Sequence, residues 1–223
     1  MGVPNLAFIH WFGQLNPYQY LPPEERKQFT ELAQEKSLSK GEILFHEGQK
    51  CDSVWLLKDG RVHLNRFLQE GQVSTTCIVT PGETFCCLPA LDHGVYPINA
   101  IAAIDSAVIR IPSDTFSRWL RDYAKFANSA ICTFCNRLRE VECHGSMIYA
   151  SVEHRVAQVL LTLAPKFGST IPLTRQEIAE LAGTTLETTI RTLSRMKQQK
   201  IIRSSRGKII LLDKTLLESA LKK

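Results

Sequence analysis

No apolar run in the 223-residue sequence comes near the roughly 18 residues that a membrane-spanning helix needs, which excludes a helical anchor. The opening stretch, MGVPNLAFIHWFGQLNP, lacks the basic leader and clean apolar core of an export signal, so the chain is expected in the cytoplasm, away from membranes. Glycine-rich phosphate loops, His-Glu-x-x-His and Gly-x-Ser-x-Gly are all missing, and the six histidines are scattered, which argues against an enzyme. Seven cysteines spread through a chain of this length do not make a disulfide framework, and they are read as thiols. What is present is ordinary globular material, 44% hydrophobic and 22% charged, enough for two domains. The net charge of +5 is modest, but from Arg175 onward Lys and Arg outnumber Asp and Glu.

Hydrophobic period divides the chain. PPEERKQFTELAQEKSL (22–38) reads as a helix, with Phe29, Leu32 and Ala33 at helical spacing behind a Pro-Pro-Glu-Glu start. From about Lys40 the pattern alternates: GEILFHEGQ, SVWLLKDGRVHLNRFL, VSTTCIVTPGE, TFCCLPAL and NAIAAIDSAVIRIP are short strand-like runs separated by glycine-bearing turns. Turns so regularly spaced predict a small antiparallel barrel or sandwich. A helical stretch starts near Ser113 with Phe116, Trp119, Leu120 and Tyr123. Beyond it Ala127, Ile131, Phe134, Leu138, Val141 and Ile148 follow an alternating four-three series, the a/d stripe of a paired helix, with Gly145 in the missing slot. The alternative is a helix packed only on its own barrel.

PLTRQEIAELAGTTLETTIRTLSRMKQQKII (172–202) carries the most specific pattern. Thr174 stands three residues before Glu177, a capping-box spacing that starts a helix with Ile178 and Leu181 inward. Ala182-Gly183-Thr184 makes a turn, and Thr184, three before Glu187, signals a second helix through Ile190, Leu193 and Met196. This is helix-turn-helix spacing. Leu186, Glu187, Ile190 and Arg191 fall near the start of the second helix, the end that enters a major groove, where Arg can bind guanine and a carboxylate can accept from cytosine. IIRSSRGKIILL then reads as a hairpin wing whose basic residues suit phosphates.

From about Leu21 to Leu212 the chain resembles the CRP/FNR family of bacterial transcription regulators, through LSKGEILFHEGQ, LLKDGRV, the PGE turn, VEHRVAQVLLTLA and LTRQEIAELAG. The resemblance implies an α+β protein: an N-terminal antiparallel, jelly-roll-like β-roll sensor (1–112), a long dimerisation helix (113–150) and a C-terminal winged helix-turn-helix (151–223). It also implies a homodimer on palindromic double-stranded DNA, with RNA polymerase as a further partner. Glu187 and Arg191 match the family's Glu-Thr-x-x-Arg pattern, which reads the shared TGA part of the half-site. Leu186 and Ile190 stand where branches of the family carry other base-reading residues. Thr174, Arg175, Gln176 and Thr188 are expected on the DNA backbone.

The sensor half matches less well. Effector-pocket candidates are Glu83, Phe85, Cys86, Cys87, Leu88 and Tyr96. Cyclic-nucleotide members hold the phosphate with an Arg followed by Ser or Thr, whereas this chain has Tyr96-Pro97 there, which removes the cation and one backbone donor. Cyclic AMP is therefore not the expected effector, and the effector is left unidentified. An iron–sulfur cluster of the family's oxygen-sensing type needs N-terminal cysteines, but the first is Cys51. GETFCC resembles a segment of the family's haem-based CO sensor, so haem on Cys86, with His93 as the nearest imidazole, stays open. So does a soft-metal or thiol redox site at Cys132 and Cys135, which share a helix face. If Cys86 and Cys87 lie on a strand, they point to opposite faces. A binding module whose helix-turn-helix touches only protein is the alternative from another functional class.

Overall fold

The computed structural model describes residues 6–68, 72–145 and 150–220, with side chains at all of these except 140–145 and 220. Two compact units result, Met1–Arg66 with Cys77–Glu140 and Phe67–Thr76 with Val141–Lys223.

In the first unit, α1 (Leu6–Phe12) and a 3-10 turn at Tyr18–Tyr20 lead to α2 (Pro23–Leu32). Pro23 has the fixed φ that suits a first helical turn, and Glu24 and Glu25 meet the positive end of the helix. Then come β1 (Gln34–Leu38), β2 (Ile43–Phe45), β3 (Ser53–Asp59), β4 (Val62–Phe67), β5 (Val73–Val79) and β6 (Thr84–Phe85), with the end of β4 and the start of β5 assigned to the second unit. A short α3 (Cys87–Leu91) precedes β7 (Asn99–Ala102) and β8 (Ser106–Pro112). The eight strands form two four-stranded sheets, ordered β1-β8-β3-β6 and β2-β7-β4-β5. All pairings described are antiparallel, as the alternating pattern predicts.

Two local expectations give way. The helix expected over 22–38 stops at Leu32, and Gln34–Leu38 is a strand paired with Arg110–Ser106. Of these five residues only Leu38 is buried, so a helix would gain no apolar face there, whereas the open edge of β8 satisfies their backbone groups. TFCCLPAL does not continue as a strand either: after Phe85 the backbone turns through Cys86 at φ 57°, ψ 37° into α3. That left-handed conformation is uncommon for a side chain larger than Gly or Asn. Cys86 and Cys87 are therefore not opposed across a pleat.

The helical stretch from Ser113 is also not continuous. α4 (Ser113–Asp122) ends at Tyr123, which is extended at φ −123°, ψ 93°, and α5 (Ala124–Gly145) follows. Phe116 and Trp119 of α4 and Phe126 of α5 are buried with Phe12, Tyr18 and Phe29. Ring centroids lie 4.4 Å apart for Phe12 and Tyr18, 5.1 Å for Phe29 and Trp119, and 5.8 Å for Trp119 and Phe126. This aromatic cluster fastens the N-terminal helices and the start of α5 to the roll. The Glu25 carboxylate adds a polar tie between α2 and α4, accepting from Arg118 Nη1 at 2.8 Å, Arg118 Nη2 at 2.9 Å and Trp119 Nε1 at 3.0 Å.

The second unit contains α6 (Val152–Phe167), β9 (Thr170–Ile171), α7 (Arg175–Ala182), α8 (Leu186–Gln198), the hairpin β10 (Ile202–Ser205) and β11 (Lys208–Leu211), and α9 (Lys214–Ala220). Val156, Leu160 and Leu163 of α6 are buried, as are Ile178 of α7 and Leu193 and Met196 of α8. The β9 strand joins the wing, giving the sheet order β10-β11-β9.

Candidate nucleic-acid interface and roll interior

The capping box forms as its spacing predicts: Thr174 Oγ1 accepts from Glu177 N at 3.2 Å, and Thr174 N donates to Glu177 Oε2 at 2.6 Å. α7 ends at Gly183, whose φ of 58° suits a residue without Cβ, and Thr184 N donates to Ala179 O at 3.0 Å to close the turn. The second cap differs from expectation by one residue. Thr185, not Thr184, caps α8 and accepts from Thr188 N at 3.2 Å, because Thr184 is already committed to the turn.

α8 is anchored from behind by Thr189, Thr192, Leu193 and Met196, all buried, and by the Arg195–Glu153 ion pair at 2.7 Å. Its outer face presents Leu186, Glu187 and Arg191, all exposed, with Ile190 and Thr188 half-buried. Arg191 Nη2 donates to Glu187 Oε1 one turn earlier, so the two base-reading candidates hold each other in place. Gln176 is exposed on α7 and donates to Glu180 Oε1 at 2.9 Å. Thr174 and Arg175 line a shallow cleft of about 300 Å³ whose other wall is Ser205, Arg206 and Gly207 of the wing turn. Backbone phosphates suit such a cleft, because it brings two arginines from separate elements to one place on the surface. Spacing within α7 and α8 located Thr174 and Arg175; only the tertiary fold sets Arg206 opposite them.

In the other unit the effector-pocket candidates divide. Phe85, Cys87 and Tyr96 are buried in one core cluster, and Cys86 packs against it half-buried. Leu88 is 63% exposed and takes no part in lining the interior. Glu83 spends its carboxylate on its own turn, accepting from Thr80 N at 2.6 Å and Thr80 Oγ1 at 2.8 Å. Tyr96 turns into the roll and stacks on Phe45 at 3.7 Å with the rings 11° apart. Its hydroxyl accepts from Trp55 Nε1 at 3.0 Å and donates to Ser53 O at 3.3 Å. Short apolar runs placed Phe45 and Trp55 on strands, but nothing local marked them as partners of Tyr96.

A haem reading does not fit these residues. Phe45, Phe85 and Tyr96 fill the interior, and His93 is exposed on a turn at φ 56°. Burial, reinforced by the neighbouring Cys87, pushes the Cys86 thiol far above its ordinary range; burial also pushes Cys87 up to about 12 against the pull of Arg137. Cys132 and Cys135 are exposed on α5, and among the described residues no three His, Cys, Asp or Glu side chains group closely enough to hold a metal ion.

α5 has two distinct faces. Phe126 and Ala130 are buried on the roll, with Phe134 partly covered by it. Ala127 is half-buried, while Ile131 and Leu138 are 53% and 59% exposed. The side chain of Val141 and the whole of Ile148 lie outside the described residues. Half-buried Arg137, which the a/d pattern passed over, donates from Nη2 to the Thr84 carbonyl beside Cys86, and Tyr18 Oη lies 2.8 Å from Thr84 Oγ1. The elbow after β6 is thus held from the N-terminal segment and from α5.

Comparison with known proteins adds to this geometry. The family model of the cyclic nucleotide-binding domain matches residues 35–123, and that of the Crp-like helix-turn-helix domain matches residues 154–220. The cyclic AMP receptor protein of Thermus thermophilus is 27% identical over 200 residues, 89% of this chain and 93% of its own. The nitrogen fixation regulation protein FixK of Bradyrhizobium diazoefficiens is 25% identical over 208 residues, 89% of this chain and 86% of its own. The structure of FixK2 from Bradyrhizobium japonicum superposes with a TM-score of 0.74 at 25% identity, covering 84% of this chain and 96% of that one. These similar proteins are transcription regulators, not enzymes.

Proposed function

Because the chain belongs to the CRP/FNR family of DNA-binding transcription regulators, we propose that it works in the cytoplasm as a homodimer on palindromic DNA, under control that does not pass through cyclic AMP. The outer face of α8 carries this reading: Glu187 and Arg191 stand paired and exposed at the end of the helix that enters a major groove in this motif. Arg191 reads guanine and Glu187 accepts from cytosine, while Leu186 and Ile190 offer apolar contact to neighbouring thymine methyls. Thr174, Arg175, Gln176 and Thr188, together with Arg206, hold the backbone. Ile131 and Leu138 supply the apolar stripe of the dimer seam, which brings two α8 helices to half-sites about one helical turn apart. RNA polymerase is the further partner that the family implies.

The relative from Thermus thermophilus is named for cyclic AMP. In this chain the buried ring of Tyr96, stacked on Phe45, stands where cyclic-nucleotide members carry a phosphate-binding cation, which argues against that ligand. An effector, whatever its chemistry, shifts DNA affinity only by its preference for one of two states of the dimer.

Fluorescence anisotropy on a labelled palindromic duplex with a TGA-containing half-site tests the DNA reading. The expected result is affinity that falls steeply with salt, and an Arg191→Ala cost of about 1–3 kcal/mol concentrated at one base pair. Binding indifferent both to salt and to Arg191→Ala would instead support a module that contacts only protein.

A further inference from the structure

We propose that Tyr96 is a resident ligand of the roll: its phenol fills and satisfies the interior that a small effector would otherwise occupy, and so holds the DNA-competent state without one. This rests on the regulator reading above and specifies how its sensor half is controlled.

Three observations carry the proposal. First, the polar end of Tyr96 is fully used inside the roll. Its hydroxyl lies between Trp55 Nε1 and the Ser53 carbonyl, and that carbonyl also accepts from Cys51 Sγ at 3.4 Å. A buried group that both donates and accepts has the bonding expected of a bound phenol. Second, the residue is inserted as a wedge by its own backbone. Gly48 N donates to Tyr96 O at 2.8 Å, Tyr96 N donates to Gln49 O at 2.9 Å, and Cys51 N donates to Gly94 O at 3.1 Å. These bonds fasten 94–96 to 48–51, so the ring is held inward with only 3% of the residue exposed. Third, the ring lies at one end of a packed path to the seam helix. Tyr96 stacks on Phe45, whose centroid is 6.3 Å from that of Phe85, and the next residue back, Thr84, accepts from Arg137 of α5. Arg137 immediately precedes Leu138 of the exposed stripe. Loosening the ring therefore frees a contiguous set of side chains ending beside the seam, the kind of path through which one site biases another.

The test uses the full-length chain and p-cresol, the side chain of tyrosine as a free molecule. Wild type should show no change in thermal midpoint with p-cresol or with cyclic AMP. Tyr96→Ala should melt lower and bind the palindrome about tenfold more weakly. Millimolar p-cresol should raise its melting point and recover most of the DNA affinity, as aromatic molecules enter cavities of their own shape. The melting arm needs no DNA, so it reads the cavity even if the DNA reading fails. A wild-type melting point raised by cyclic AMP would overturn the proposal, as would Tyr96→Ala with undiminished DNA affinity or without response to p-cresol in either arm. If Tyr96→Ala does not fold, Tyr96→Phe carries the test. It keeps the stack and strands Trp55 Nε1, so DNA affinity should fall several-fold, and unchanged affinity would overturn the idea.

Discussion

Replacing Ile131 and Leu138 together with alanine should dissociate the proposed dimer without unfolding the protomer. The two side chains are 53% and 59% exposed on α5, so each still has about half of its apolar surface to bury. Full burial of a Leu or Ile is worth about 1.5–3 kcal/mol, which gives about 1 kcal/mol for each remaining half. Four such side chains meet in a dimer, and alanine keeps only the Cβ, so the substitution removes about 3 kcal/mol, roughly a hundredfold in the dimer dissociation constant. The part of each side chain already covered within the protomer is lost as well, so the protomer's own unfolding free energy should fall by about 1–2 kcal/mol, well short of unfolding it. Sedimentation equilibrium over a wide concentration range measures the first quantity, and urea unfolding at high dilution measures the second. Anisotropy should then show the advantage of a full palindrome over a single half-site shrinking by a similar factor. An unchanged dimer constant would refute the stripe as the seam, and a large loss of protomer stability would place these side chains in the core of their own roll.

Two further expectations follow from the charged and thiol groups. Hydrogen bonds from Arg118, and then from Trp119, hold Glu25 near pKa 2 instead of 4.5 against the opposing effect of burial. A carboxylate depressed in the folded state stabilises above its unfolded pKa, and that contribution is lost as pH falls from 4.5 towards 2. Allowing for solvent at the 39% exposed Arg118, the loss is about 2 kcal/mol. Glu25→Gln should remove this slope in urea midpoints, whereas a wild-type and variant difference that stays constant through the window would contradict it. Alkylation with iodoacetamide followed by peptide mapping should label Cys132 and Cys135 quickly, and Cys51 and Cys87 only on unfolding. Rapid labelling of Cys87 in the folded protein would contradict its burial and its raised pKa.

Residues whose behaviour depends on near neighbours were legible in the sequence. Thr174 and Glu177 are three apart, and that spacing alone makes the capping box. Short apolar runs at Val54–Leu57, Val62–Leu64 and Val108–Ile111, each bounded by turn residues, marked strands, and in β3 every residue from Ser53 to Leu57 is buried. Ile131 and Leu138 recur at helical period and are exposed on α5, while Phe134 of the same series packs on its own roll. Gln34–Leu38 was not legible, since its strand exists only because β8 has an open edge. Nor was the turn at Cys86, where a left-handed backbone is carried by a residue type that does not announce it.

By itself, then, the sequence determined the succession of a strand-rich half and a helical half, the helix-turn-helix with Glu187 and Arg191 on its second helix, and the absence of a phosphate-binding cation at Tyr96. Only the tertiary structure decided what Tyr96 does in place of that cation. Its partners Phe45, Ser53 and Trp55 lie more than forty residues earlier, on other strands. The same holds for Arg206 across from Arg175 and for Arg137 on the Thr84 carbonyl. Periodicity reports which face a residue presents, whereas the folded chain sets which distant group meets that face, and there a missing cation became a filled interior.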